Sequence, residues 1–201
     1  MYVHIVQFRR YARGKTVPAP KSEARTKKIL AAAQTEFLAN GLRATTMQGI
    51  AKRAGVAKPT LYAYFPDKEA VFQATLSAVL DDMKAEAEKT LDGPGSAVER
   101  TAAALENKFS RMAALLSNSP HAGELLDNTE AFAEQALAEI NAWLSARLAE
   151  LLAGEGWPRD QASRRADLVL ACVDGLFGAY AGSRIEPADV GFVVRRLLAA
   201  P

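Results

Sequence analysis

Thr45-Thr46-Met47-Gln48-Gly49-Ile50-Ala51-Lys52-Arg53-Ala54-Gly55-Val56-Ala57-Lys58-Pro59-Thr60-Leu61-Tyr62-Ala63-Tyr64-Phe65 decides the fold. The stretch predicts two short helices joined by a tight turn. Thr45 and Gln48 have capping-box spacing, which satisfies backbone N–H groups at the start of a helix. Gly55 marks the end of that helix, because glycine takes φ > 0 without a Cβ clash. Pro59 suits the first turn of the next helix, where its missing N–H is not needed. Ala51 is small where the helices should cross, and Leu61 fills the same contact. That is the packing logic of a helix-turn-helix.

The outward residues suit nucleic acid. Leu61 and Phe65 share one helical face, leaving Thr60, Tyr62, Ala63 and Tyr64 to the flanks and the far side, with Lys58 at the start. Hydroxyls, phenols and lysines donate to phosphate oxygens, and small apolar groups meet thymine methyls. The alternative for Tyr62 and Tyr64 is that they cover a neighbouring helix. Charge supports the first reading. Residues 1–70 hold 13 Lys and Arg against 4 Asp and Glu, a net of +9, whereas residues 71–201 carry 12 against 19, a net of −7. A basic first part is the electrostatic footprint of a nucleic-acid binder.

Residues from Ile29 to Glu69 carry a family resemblance. The matching features are Ile29-Leu30-Ala31-Ala32-Ala33 with Phe37, Asn40-Gly41, Thr45-Thr46, Ile50-Ala51, Ala54-Gly55-Val56, Leu61-Tyr62-Ala63-Tyr64-Phe65 and Lys68-Glu69. Together they resemble the DNA-binding domain of the TetR family of bacterial transcriptional regulators. The resemblance covers about residues 23–83. It implies an all-α protein, with an N-terminal three-helix helix-turn-helix domain and a C-terminal helical ligand-binding and dimerisation domain. Residues 1–22 would then be a basic arm, 23–83 the DNA-binding domain and 84–201 the second domain. The arm carries Arg9, Arg10, Arg13, Lys15, Pro18 and Pro20; it is read as disordered or as reaching into a minor groove. Two departures matter: many relatives carry serine at Ala57, so a side-chain cap or phosphate bond is lost here, and many carry glycine at Pro59 and histidine at Ala63, so base preference should differ from theirs.

Carried onto this chain, the resemblance assigns DNA contacts to Thr45, Thr46, Ala57, Lys58, Pro59, Thr60, Tyr62, Ala63, Tyr64 and Lys68. Pro59 and Ala63 are expected to face bases; Thr45 and Thr46 should anchor the first motif helix to the DNA backbone. Arg25, Lys27 and Lys28, early in the preceding helix (residues 25–40), either touch phosphates or are solvated. Asp67 should cap a fourth helix burying Phe72, Leu76, Val79, Leu80 and Met83.

Beyond Asp92-Gly93-Pro94-Gly95 the chain reads as helices without strands. Ser96 and Glu99 form a second capping box, a short segment follows Pro120, and Thr129 opens a long helix ending near Gly154. In the helix expected over residues 159–185, Ala171, Gly175, Gly178, Ala179 and Gly182 form a small-residue stripe. Each interior glycine costs about 1 kcal/mol relative to alanine, so close approach of another helix is the expected reason. With Val194 and Leu197 of the last helix, this stripe is the expected homodimer seam, the alternative being that it packs within one subunit. A dimer implies a palindromic operator.

The resemblance also implies an effector, a small molecule that releases DNA by binding one arrangement better than another. Its candidate contacts are Met83, Phe109, Met112, His121, Phe132, Trp143, Asp174 and Phe177, all types that also serve as plain core. Asp174 stands in an apolar run; buried, it would need a partner such as Arg147 or a cationic ligand. No phosphate loop, His-x-x-x-His pair or nucleophile motif occurs, so neither enzyme, metal site nor cofactor is expected. Cys172, the one cysteine, suits a reducing cytoplasm. The expectation is a repressor. Two alternatives remain: redox sensing through Cys172, against which its apolar neighbours argue, and sequence-independent coating of DNA. No apolar run of about 18 residues suggests a membrane span.

Overall fold

The computed structural model describes residues 20–117, 119–127, 130–178 and 185–199. Residues 1–19 of the basic arm expected over 1–22, together with Thr129, Ala179 and Gly182 and the side chains of Phe132 and Phe177, lie outside the described residues, whereas 20–22 are helical. Nine helices run through the described residues, with no strand among them: α1 (Pro20–Ala44), α2 (Met47–Ala54), α3 (Lys58–Tyr64), α4 (Lys68–Leu91), α5 (Ala97–Ser117), α6 (Ala122–Asp127), α7 (Glu130–Gly154), α8 (Arg159–Gly178) and α9 (Pro187–Leu198). The fold is all-α, as the sequence implies.

Two apolar cores organise these helices. The first joins Ile29, Ala33 and Phe37 of α1 to Ile50, Ala51 and Ala54 of α2, Leu61 of α3, and Val71 and Ala74 of α4. Phe37 and Phe72 meet edge to face at 5.1 Å, a favoured aromatic arrangement. The second core takes Leu91, Leu105 and Phe109, then Leu144, Leu148 and Leu152, then Ala166, Val169 and Val173, and finally Val190, Val194 and Leu198. Its surface is tied by Arg195 of α9, which donates to Glu99 and Glu106 of α5 at 3.1 Å. Glu99 is therefore turned towards α9, while Ser96 Oγ accepts the Glu99 N–H at 3.3 Å, the half of the capping box that caps α5.

α4 belongs to both cores, since Val71 and Ala74 lie in the first and Leu91 in the second. Asp67 caps it, accepting the Ala70 N–H at 2.7 Å. Its buried stripe differs from the expected one. Val71, Ala74, Thr75, Leu80 and Met83 are buried, whereas Phe72, Leu76 and Val79 are half-buried. The hydrophobic pattern pointed to the larger side chains, but close packing against α1 favours smaller ones. Thr75 tolerates burial because its hydroxyl returns to the Val71 carbonyl at 2.7 Å.

Three further expectations are corrected by the packing. Asp174 is exposed, not buried, and it accepts from Asn141 Nδ2 at 2.8 Å and Lys108 Nζ at 3.4 Å. Arg147, its expected partner, pairs instead with Asp92 and Glu150. Val194 is fully buried in the core of its own subunit, so it cannot contribute to a seam, and Leu197 is half-buried against that same core. Cys172 is exposed despite its apolar sequence neighbours, because its side of α8 faces outward.

Two glycines separate backbone strain from simple loss of a side chain. Gly55 has φ 63°, and a Cβ there would lie 3.4 Å from Lys28 Nζ, an ordinary contact. Gly154 ends α7 with no described atom within 4 Å of a Cβ. Gly55→Ala should lower unfolding free energy by about 1–2 kcal/mol, the cost of a left-handed L-residue. Gly154→Ala should leave it unchanged or slightly raised; denaturant melts of both variants check the contrast.

Candidate nucleic-acid interface

The helix-turn-helix is built by its caps. Thr46, not Thr45, is the N-cap of α2: its hydroxyl accepts the Gly49 N–H at 3.0 Å. The expected box from Thr45 to Gln48 is therefore one residue out of register. Thr45 is buried, and its hydroxyl reaches the Gly41 carbonyl at 2.6 Å and that of Glu36 at 3.1 Å. Turned inward in this way, Thr45 holds the end of α1 and presents no hydroxyl to an outside phosphate. Gly55 closes α2 in the left-handed region, and Val56 N–H returns to the Ala51 carbonyl at 3.0 Å. Ala51 and Leu61 are both buried, as their crossing requires.

That packing leaves Lys58, Pro59, Tyr62 and Ala63 exposed on the outer face of α3, preceded by exposed Ala57. Thr60 is half-buried. Lys58 Nζ sits 5.9 Å from the Tyr62 ring centroid, so the cation and the phenol stand side by side. Tyr64 is half-buried and packs against the first core, so it supports α3 as well as edging its surface. Lys68 is half-buried, and its Nζ donates to the Arg43 carbonyl at 3.0 Å. Among the expected contacts, Ala57, Lys58, Pro59, Tyr62 and Ala63 therefore share one open surface, Thr46 caps the neighbouring helix, and Thr45 and Lys68 face inward contacts.

A groove of about 510 Å³ adjoins this face, lined by Ala24, Arg25 and Lys28 of α1 and by Gly55, Val56, Ala57 and Thr60. Residues 20–65 contain only two acids, Glu23 and Glu36. Both are committed, Glu23 to Lys27 at 3.5 Å and Glu36 to Arg53. The groove is thus flanked by Arg25 and Lys28 with no acid in its lining. Sequence alone left Arg25, Lys27 and Lys28 equivalent; the ion pair with Glu23 now distinguishes Lys27 from the two that line the groove.

Residues 29–75 match the model of the bacterial regulatory proteins of the tetR family. The helix-turn-helix domain belongs to the TetR family. Among curated proteins, the uncharacterised HTH-type transcriptional regulator YhgD of Bacillus subtilis is 40% identical over 68 residues, which is 34% of this chain and 36% of that protein. The HTH-type transcriptional regulator RutR of Escherichia coli is 45% identical over 58 residues, 29% of this chain and 27% of its own. The aligned part therefore spans between about a quarter and about a third of the length of these relatives. The fold likeness runs further. The fatty acid degradation regulator FadR of Bacillus halodurans superposes with a TM-score of 0.63 at 18% identity, over 92% of this chain and 98% of its own. Each of these three proteins is named as a regulator.

In this TetR-like architecture the expected effector contacts do not share one setting. Phe109 is packed in the second core, and Met83 is buried in α4. Met112 is half-buried, as is Trp143, whose ring lies 4.7 Å from Lys84 Nζ. His121 stands at the junction with α1, its Nδ1 3.7 Å from Glu124 Oε2. On the expected seam, Ala171 and Gly175 are exposed, and Gly178 ends α8. Sequence reading missed two exposed hydrophobics on the last helices: Leu168, 47% exposed, and Phe192, 58%. Leu168 gave no signal of its own, because it stands in the apolar run Leu168-Val169-Leu170. Phe192 was equally silent, because it adjoins the apolar pair Val193-Val194.

Lys28 and Lys27 provide a matched test of the groove. Each true phosphate contact contributes about −0.9 to the slope of log affinity against log salt. Lys28→Gln should flatten the slope for duplex DNA by about that amount, and Lys27→Gln should change it less. Salt titrations of both variants on one duplex check this.

Proposed function

We propose that this chain is a sequence-specific DNA-binding transcriptional regulator acting as a homodimer, most simply a cytoplasmic repressor released from a palindromic operator by a small molecule. The observation that carries the DNA reading is the outer face of α3. Lys58, Pro59, Tyr62 and Ala63 are exposed together beside a groove whose charged lining residues are Arg25 and Lys28. Lysine and tyrosine supply phosphate contacts, while Pro59 and Ala63 offer bases no hydrogen bond. Sequence preference then rests on methyl contacts and on DNA shape.

The dimer reading is supported by the outer side of α8 and α9. Leu168, Ala171, Cys172 and Gly175 are exposed on α8, and Phe192 on the adjoining α9. A Cβ at Gly175 would meet no described atom within 4 Å, so nothing described in its own subunit accounts for a glycine there. A second copy laid against this side would bury the exposed hydrophobics and use the flat surface at Gly175. Effector release rests on the helical second domain, where Lys108, Asn141 and Asp174 join three helices into a polar cluster within reach of solvent. A ligand that displaced one member would change the packing of α5, α7 and α8 together.

Selection of random duplexes by the purified protein, at about 0.15 M salt where surface charges are substantially screened, tests the reading. Recovery of a palindrome with half-sites one helical turn or a multiple apart is expected. Binding without any enriched sequence would instead indicate coating of DNA, and no binding would overturn the assignment. Gly175→Ala tests the seam separately. It should stabilise the dissociated subunit by about 1 kcal/mol through helix propensity, yet weaken self-association in sedimentation equilibrium. Unchanged association would place the dimer contact elsewhere.

A further inference from the structure

The segment that enters the helix-turn-helix is gripped from both domains. α1 is broken at Gly41, with φ 74° and ψ 172°. Two residues on, the Arg43 peptide is held at both of its polar groups. Its N–H donates to Glu124 Oε1 of α6 at 2.8 Å, and its carbonyl accepts from Lys68 Nζ at 3.0 Å. Thr45 then ties back to the Gly41 carbonyl, and Thr46 caps α2. A second strap lies alongside: Ser119 Oγ donates to the Leu38 carbonyl at 2.8 Å and accepts the His121 N–H at 3.1 Å. Leu125 of α6 packs against the first core.

We infer that Glu124 is a positioning residue for DNA binding: through Arg43, its carboxylate fixes where the helix-turn-helix sits relative to the second domain. This rests on the DNA-binding reading above and extends it to regulation. The geometry allows little slack. A Cβ at Gly41 would run into Glu124 Oε2 and lie 3.1 Å from His121 Cγ, so the carboxylate fills the space that the missing side chain leaves. The bond joins residues 81 apart in sequence and bypasses the covalent link through α4. A displacement of α6 by about 1 Å would stretch it past hydrogen-bonding range, while leaving α2 and α3 folded on their own core. Any event that moves α6 thereby alters the entry to α2 and the presentation of α3.

The test compares Glu124→Ala with Glu124→Gln in the full chain. Glutamine keeps an acceptor oxygen for the Arg43 N–H; alanine removes it. Amide exchange of residues 41–46, measured on the protein alone, should accelerate about tenfold in Glu124→Ala, as loss of a charged hydrogen bond predicts. Exchange in α5 and α9 should stay at the wild-type rate. Affinity for the selected duplex should fall by a similar factor, and Glu124→Gln should largely restore both readings. Wild-type exchange in Glu124→Ala would overturn the inference, as would equal loss in both variants together with faster exchange in α5 and α9. Should the wild-type protein bind no duplex, the DNA reading fails on its own, and the exchange measurement still decides whether Glu124 holds the segment.

Discussion

Everything that α3 can present depends on one crossing. Leu61 fills the space that Ala51 leaves free, and Gly55 lets the chain turn sharply enough to bring the two together. A larger residue at 51 would push α3 away, and an L-residue at 55 would strain the turn. Because both inner positions are fully committed, the outer positions of α3 are relieved of structural duty. Lys58, Pro59, Tyr62 and Ala63 touch solvent for that reason, and their chemistry can be set by a partner rather than by packing.

The second organising feature is the double use of the stretch between α1 and α2. Chain geometry needs a break at Gly41, and the break exposes peptide groups that require partners. One comes from α4 through Lys68 and another from α6 through Glu124. The same few residues therefore end one helix, cap the next and hold α6 in place. Thr45 illustrates the cost of such economy. Its hydroxyl is consumed by two carbonyls and cannot also serve an external partner.

Local chemistry was largely legible in the sequence. Gly55 and Pro59 act through their own backbone and Asp67 through a carboxylate bonded three residues on, so their roles follow from residue type and local sequence. The N-cap was displaced by one because two adjacent threonines compete for it; the spacing to Gln48 favoured Thr45, whereas the break at Gly41 drew Thr45 inward. Long-range pairing was not legible. Nothing in Arg43 or Glu124 alone announces a bond between residues 81 apart, and Asp174 read as buried until Lys108 and Asn141 were placed beside it near solvent. The seam was half visible: small residues marked α8, but whether Val194 faced inward depended on how α9 lies against α5. Burial decides such cases, and burial is a property of the assembled helices.

α4 contributes to both apolar cores along one unbroken helix of 24 residues. Its first turns are side-chain partners of α1 and α3, and its last turn belongs with α5 and α7. Melting of either core would strip one end of the helix of its apolar cover while the other end stayed packed. The uncovered half, about 12 residues long, is too short to be stable by itself in water. The two halves of the molecule, different in charge and in duty, are thus bound into a shared cooperativity, and damage to one is felt as loss of free energy in the other.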